Sequence, residues 1–206
     1  MSVNEVEDSL SVWSGVYDVV NIADPDLNRE VSDLLLVGMA PIIINRMGNG
    51  IDFMVSQLQR RVEKSGKIDL LRIHGHGGPG LQTISCDRDL RGFDLSTSRA
   101  FISNCNFQNI VGSLGLMRGL FAPNAQVWLM GCEVGAEFEG RRLINRLAKL
   151  WGVPVTAGLS IQFASFGRTR EFEEYNSQKP QESVYIPGER INRTFSIEWL
   201  KATALP

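Results

Sequence analysis

Two apolar runs break into glycine beside a reactive side chain, and this pattern constrains the fold more than any other. Leu70-Leu71-Arg72-Ile73 runs into His74-Gly75-His76-Gly77-Gly78-Pro79-Gly80, and Val127-Trp128-Leu129-Met130 runs into Gly131-Cys132-Glu133-Val134-Gly135. Short, branched runs of this kind suit strands buried on both faces. Helical spacing separates them. Ile51, Met54, Val55, Leu58 and Val62 recur on one face over 50–64, with Gly66 as the stop. Residues 109–121 read as helix although Gly112, Gly115 and Gly119 weaken it. Phe138, Leu143, Leu147 and Leu150 mark a helical face over 137–150, which Gly152 ends before a strand at Val153-Pro154-Val155-Thr156. Leu34–Val37 and Ile42–Ile44, parted by Pro41, read as strands, as does Leu81–Ser85. Strand and helix alternating through short turns predict an α/β fold, a mostly parallel sheet with helices on both faces. Residues 159–182 read as a polar surface loop, and Val184–Pro187 as a late strand ahead of a terminal segment with Trp199 and Leu200.

Charge excludes some functions. Lys and Arg total 21 against 23 Asp and Glu, a net charge of -2, which removes the phosphate attraction on which nucleic-acid binding mostly rests. No apolar run reaches membrane-spanning length, and the acidic start MSVNEVEDSL lacks the pattern of a secretory signal. Three cysteines without close pairing suit a reducing compartment, so a cytoplasmic location is expected. Acidic residues crowd the beginning, among them Glu5, Glu7, Asp8, Asp18, Asp24, Asp26 and Glu30, with Arg29 the one base before residue 33. This contrast divides the chain into an acidic N-terminal extension, 1–32, and a main domain, 33–206. The extension is either a solvated lead-in or a regulatory segment lying over the body.

The chain has two histidines, His74 and His76, and no imidazole after residue 76. In a parallel sheet, loops past the carboxyl ends of the strands form the binding crevice. If both glycine-terminated strands lie in one sheet, His76 and Cys132 emerge along one edge. A thiol next to an imidazole has the chemistry of a nucleophile and its base. The imidazole can later protonate a leaving amine. The N–H groups of Gly77 and Cys132 are the expected oxyanion donors, and Gly131 would give the strand a tight exit. His74 shares the strand face of His76 and is a second candidate base; the turn-forming glycines after His76 favour His76. This chemistry needs no metal and no organic cofactor.

Other readings fare worse. HGGPG also occurs as an oxyanion loop in α/β-hydrolase aminopeptidases, but that fold requires a late histidine. A His-x-His metal site with Cys132 lacks the further histidines of common zinc hydrolases. Cys86 follows a short strand and Cys105 sits in an Asn-rich loop, so both read as structural.

An apolar strand ending in His-Gly, followed by another ending in Gly-Cys, resembles the caspase-like (clan CD) cysteine peptidases. The two residues are 56 positions apart, against about 50 in caspases. The resemblance spans residues 34–157, and Met130-Gly131-Cys132-Glu133-Val134-Gly135 is similar to the Cys-Glu-x-Gly form of bacterial CHAT-type proteases. It departs from the Gln-Ala-Cys-x-Gly of animal caspases, so their preference for aspartate is not implied. The resemblance implies a cysteine endopeptidase acting on protein or peptide, with His76 as base and Cys132 as nucleophile. Its rival is a catalytically silent caspase-like scaffold, or a regulatory module that binds a protein partner. Asp33, Asp87, Asp89 and Glu133 stand close to expected strand ends, so a substrate pocket selecting Lys or Arg is expected.

Overall fold

The computed structural model describes residues 15–23, 25–36, 38–86, 90, 92–159, 164–166, 172–174 and 199–202. Strands β1 (Val16–Asn21), β2 (Ile42–Ile44), β3 (Ile68–His74), β7 (Phe121–Leu129), β8 (Val155–Gly158) and β11 (Trp199–Ala202) form the main sheet. Its order is β2-β1-β3-β7-β8-β11; the first five strands run parallel, and β11 pairs antiparallel with β8. A smaller antiparallel sheet joins β4 (Gly77–Gly78), β5 (Leu81–Thr83) and β6 (Phe101–Ser103). Two further strands, β9 (Ala164–Phe166) and β10 (Phe172–Glu174), pair with each other inside the stretch expected to be loop.

Alternation along the strands assigns the helices to faces. Tyr17 and Val19, Leu71 and Ile73, Val127 and Leu129, Val155 and Ala157 join the large core. With them pack apolar residues of α2 (Gly50–Ser65), α3 (Phe107–Gly115) and α4 (Glu137–Trp151). Val20 points the other way and meets Leu34 and Met39, with Leu27 and Val31 alongside. Helix α1 (Asn28–Leu36) therefore covers the opposite face. The expected α/β architecture, a mostly parallel sheet with helices on both faces, holds.

Several elements keep their expected places. Helix α2 stops at Gly66 with φ 95°, and α4 ends at Gly152 in the left-handed conformation. Others do not. Leu34–Leu36 are the last turn of α1 and no strand, because Leu27, Val31 and Leu34 recur at helical spacing and bury together. Phe138 is 73% exposed and does not share the buried face of Leu143 and Leu147. The boundary at residue 32 falls inside α1, and β1 sits between β2 and β3, so β1 and the first turn of α1 belong to the sheet domain rather than leading into it. Val184–Pro187 lie outside the described residues. No helix among the described residues is long and apolar enough to cross a membrane.

Candidate functional site at the carboxyl edge of β3 and β7

Strands β3 and β7 are parallel neighbours with Ile73 opposite Leu129, and the Met130 N–H continues the ladder to the Ile73 carbonyl at 2.9 Å. His76 and Cys132 each lie three residues beyond that last pair. Equal offsets from one register bring the two loops out side by side, and both side chains are half-buried.

The loops touch through glycine. A Cβ on Gly77 would meet a Val134 methyl, stand 2.7 Å from the Cys132 carbonyl oxygen and 3.0 Å from the Gly131 carbonyl carbon. A Cβ on Gly131 would stand 3.0 Å from both the N and Cα of Gly77. Gly131 is thus required by close approach and not, as expected, by the turn. The left-handed residue of the exit is Glu133, with φ 57°. A non-glycine residue in this region costs of order 1 kcal/mol or more and is held by its surroundings. Here the Ala136 N–H closes the turn on the Glu133 carbonyl at 2.8 Å, and the Gly135 N–H bonds the Gly158 carbonyl at 2.9 Å.

The histidine loop folds back as a hairpin. Gly77 pairs with Gln82 and Gly78 with Leu81 around Pro79-Gly80. The Thr83 N–H donates to the His76 carbonyl at 2.8 Å, so His76 and Thr83 form a hydrogen-bonded pair. The alternation of an antiparallel ladder then turns the Gly77 N–H away from Gln82. Its nitrogen faces Gly131, the side on which Cys132 follows.

His74 is in a different position. It is buried, and its Nε2–H donates to Asp18 Oδ1 at 2.8 Å. Arg72 grips the same carboxylate through Nε at 2.7 Å and a terminal nitrogen at 2.8 Å. All three lie on the α1 face, with Asp18 opposite Arg72 in the β1–β3 register. Burial pushes the Asp18 carboxyl up, but the Arg72 charge and the hydrogen bonds from His74 and Arg72 outweigh it and hold it well below the usual carboxylate range. His74 is committed to this interior network, which leaves His76 as the imidazole at the loop.

Of the acids expected at a pocket, Glu133 is half-buried and adjoins Cys132 in the chain. Asp33 lies within α1 rather than at a strand end, while Asp87 and Asp89 lie outside the described residues. Cys86 is buried against the Ala100 carbonyl, and Cys105 is exposed. Among the described residues, no group of three or more His, Cys, Asp or Glu side chains is arranged to hold a metal ion.

Sequence reasoning passed over Gln82 and Thr83 on β5. Gln82 is fully buried, and its Oε1 accepts the Gly131 N–H at 3.0 Å. The Thr83 hydroxyl donates to the His76 carbonyl at 3.1 Å and accepts from Asn21 Nδ2 at 3.1 Å. A glutamine inside the expected strand Leu81–Ser85 was the available signal, since an amide on a strand of the core must find partners.

Comparison with curated proteins finds no match. Among solved structures, the chain has a slight likeness to a short chain dehydrogenase from Mycobacterium avium, at 11% identity and a TM-score of 0.31. That likeness covers 71% of this chain and 59% of the dehydrogenase, and carries no argument about activity. Residues 26–162, well over half of the sequence and including both loops, match the family described as a domain of unknown function, DUF4347, and the chain belongs to that family.

Proposed function

We propose that this chain is a cysteine endopeptidase with a Cys132–His76 dyad, working in the manner of the caspase-like peptidases its motifs resemble. One observation carries the proposal: His76 and Cys132 stand at equal offsets beyond the same β3–β7 register, on loops whose backbones touch at Gly77 and Gly131. Imidazole removes the thiol proton, and the thiolate sulfur attacks the peptide carbonyl carbon, forming the C–S bond. The negative oxygen of the tetrahedral intermediate is received by the N–H groups of Gly77 and Cys132. Collapse breaks the C–N bond, and the amine leaves with the proton from imidazolium. Water, deprotonated by His76, then hydrolyses the thioester, and the proton returns to sulfur. No cofactor enters these steps. Glu133 beside the nucleophile favours a Lys or Arg on the acyl side of the cleaved bond. A thiolate nucleophile works in a reducing compartment, in keeping with a cytoplasmic location.

The test is cleavage of a mixed fluorogenic peptide library, with intact mass recorded in parallel, by wild type, Cys132→Ala and His76→Ala. Loss of cleavage in both variants is the expected result, with a preference for basic residues in the wild-type profile. Undiminished cleavage by Cys132→Ala sinks the proposal.

A further inference from the structure

Two loops that must present a nucleophile and its base need something to fix their separation, and the β3–β7 ladder ends before either functional residue. Strand β5 supplies the brace. It belongs to the small sheet, and consecutive residues on it reach both loops. Thr83 grips the His76 carbonyl twice, through its N–H at 2.8 Å and its hydroxyl at 3.1 Å. Gln82 accepts the Gly131 N–H at 3.0 Å, one residue before Cys132, while its Nε2 donates to the Thr83 carbonyl at 3.2 Å. A Cβ on Gly75 would stand 2.7 Å from Gln82 Nε2, and one on Gly131 would stand 2.8 Å from Gln82 Oε1. The amide is therefore wedged between the two loops, in contact with the glycine that precedes each functional residue. Thr83 is itself tied into the main sheet by Asn21, which also donates to the Cys86 carbonyl at 2.7 Å.

We propose that Gln82 is the positioning residue of the dyad: its buried side-chain amide spans Gly75 and Gly131 and sets where Cys132 stands relative to His76. The inference rests on the dyad proposed above. An apolar side chain of the same length would fill the volume but leave the Gly131 N–H without its acceptor, freeing the cysteine loop to shift. A displacement of about 1 Å at a reacting group can cost roughly 100-fold in rate. Gln82 is fully buried and offers no surface to substrate, so the effect is expected on turnover and not on the Michaelis constant.

The experiment compares wild type, Gln82→Met, Gln82→Glu and His76→Ala in the full chain. It follows iodoacetamide alkylation of Cys132 against pH by peptide mass, and kcat and KM on the best library peptide. Gln82→Met is expected to move the alkylation profile toward that of His76→Ala and to lower kcat 10-fold to 100-fold with KM within about twofold. Gln82→Glu keeps an acceptor for Gly131 and is expected to recover part of both. If Gln82→Met alkylates and turns over like wild type while His76→Ala does not, the Gln82 proposal is overturned and the dyad stands. If wild type and His76→Ala share one alkylation profile, the dyad itself fails and the brace has nothing to position. A Gln82→Met chain that has lost its native circular dichroism shows Gln82 to be a folding residue and overturns the positioning role.

Discussion

Gly77 and its neighbour Gly78 make a paired experiment in which geometry alone sets the difference. Both lie in β4, both are half-buried, and neither has positive φ, so alanine is conformationally acceptable at either position. Space separates them. A methyl at Gly78 meets nothing within 4 Å, whereas at Gly77 it overlaps a Val134 methyl and comes 2.7 Å from the Cys132 carbonyl oxygen. Val134 is a side chain and can turn. The Cys132 carbonyl is backbone, and making room for the methyl moves the residue that carries the thiol. Overpacking of this kind costs about 1–3 kcal/mol. With a urea slope of about 2 kcal/mol per molar, a cost of about 2 kcal/mol lowers the unfolding midpoint by about 1 M. Gly78→Ala restricts the unfolded chain without a clash and is expected to be neutral or to gain about 0.5 kcal/mol. Urea unfolding of wild type and both variants, followed by circular dichroism, measures the difference with no assumption about catalysis. Peptide cleavage adds the second reading: Gly77→Ala should lose roughly 100-fold, and Gly78→Ala much less. Equal midpoints for the two variants would refute the close approach of the loops, and with it the geometry on which the dyad rests.

The interior network predicts a pH effect. Asp18 has a folded-state pKa below its unfolded value of about 3.9, so its stabilisation is complete above about pH 5 and is lost as pH falls through 4 and below. Asp18→Asn is expected to lack that acid limb and, at pH 7, to cost about 3–5 kcal/mol because Arg72 stays buried without its counter-charge; urea midpoints at pH 7, 5 and 3 test both, and a variant as stable as wild type at pH 7 refutes the network. Gly112 is exposed in the interior of α3 with nothing near its missing Cβ, so Gly112→Ala should stabilise by about 0.5–1 kcal/mol. Gly152 caps α4 at φ 75°, and Gly152→Ala should destabilise by about 1 kcal/mol. Thermal melts of this pair with shifts of the same sign would contradict the assignment of the two glycines.

The parts legible in the sequence were those whose partners are local. Helix α2 shows its buried face at helical spacing and its stop at Gly66, and α4 shows Gly152. Strand β3 was visible because most of its length is buried, and β7 because Ala125, Val127 and Leu129 alternate as buried apolar residues; each runs into glycine within two residues of its end. Strand β1 was not, and the cause is physical. Buried in its middle is Asp18, an acid that by composition belongs with the solvated lead-in. That carboxylate is tolerable in the core because Arg72 and His74, 54 and 56 residues further along, converge on it. A charge looks like surface until its counter-charges are located, and register alone locates them. The same holds for the candidate site. His76 and Cys132 could be named from their neighbours in the chain, but their approach follows from Ile73 standing opposite Leu129, and the Gln82 brace from β5 folding back between the loops. Both are pairings across a sheet, and a one-residue slip in either would turn the side chains to the other face. Gly77 and Gly131 are where that register becomes chemically specific, since each is a position where a side chain would have to push the two loops apart.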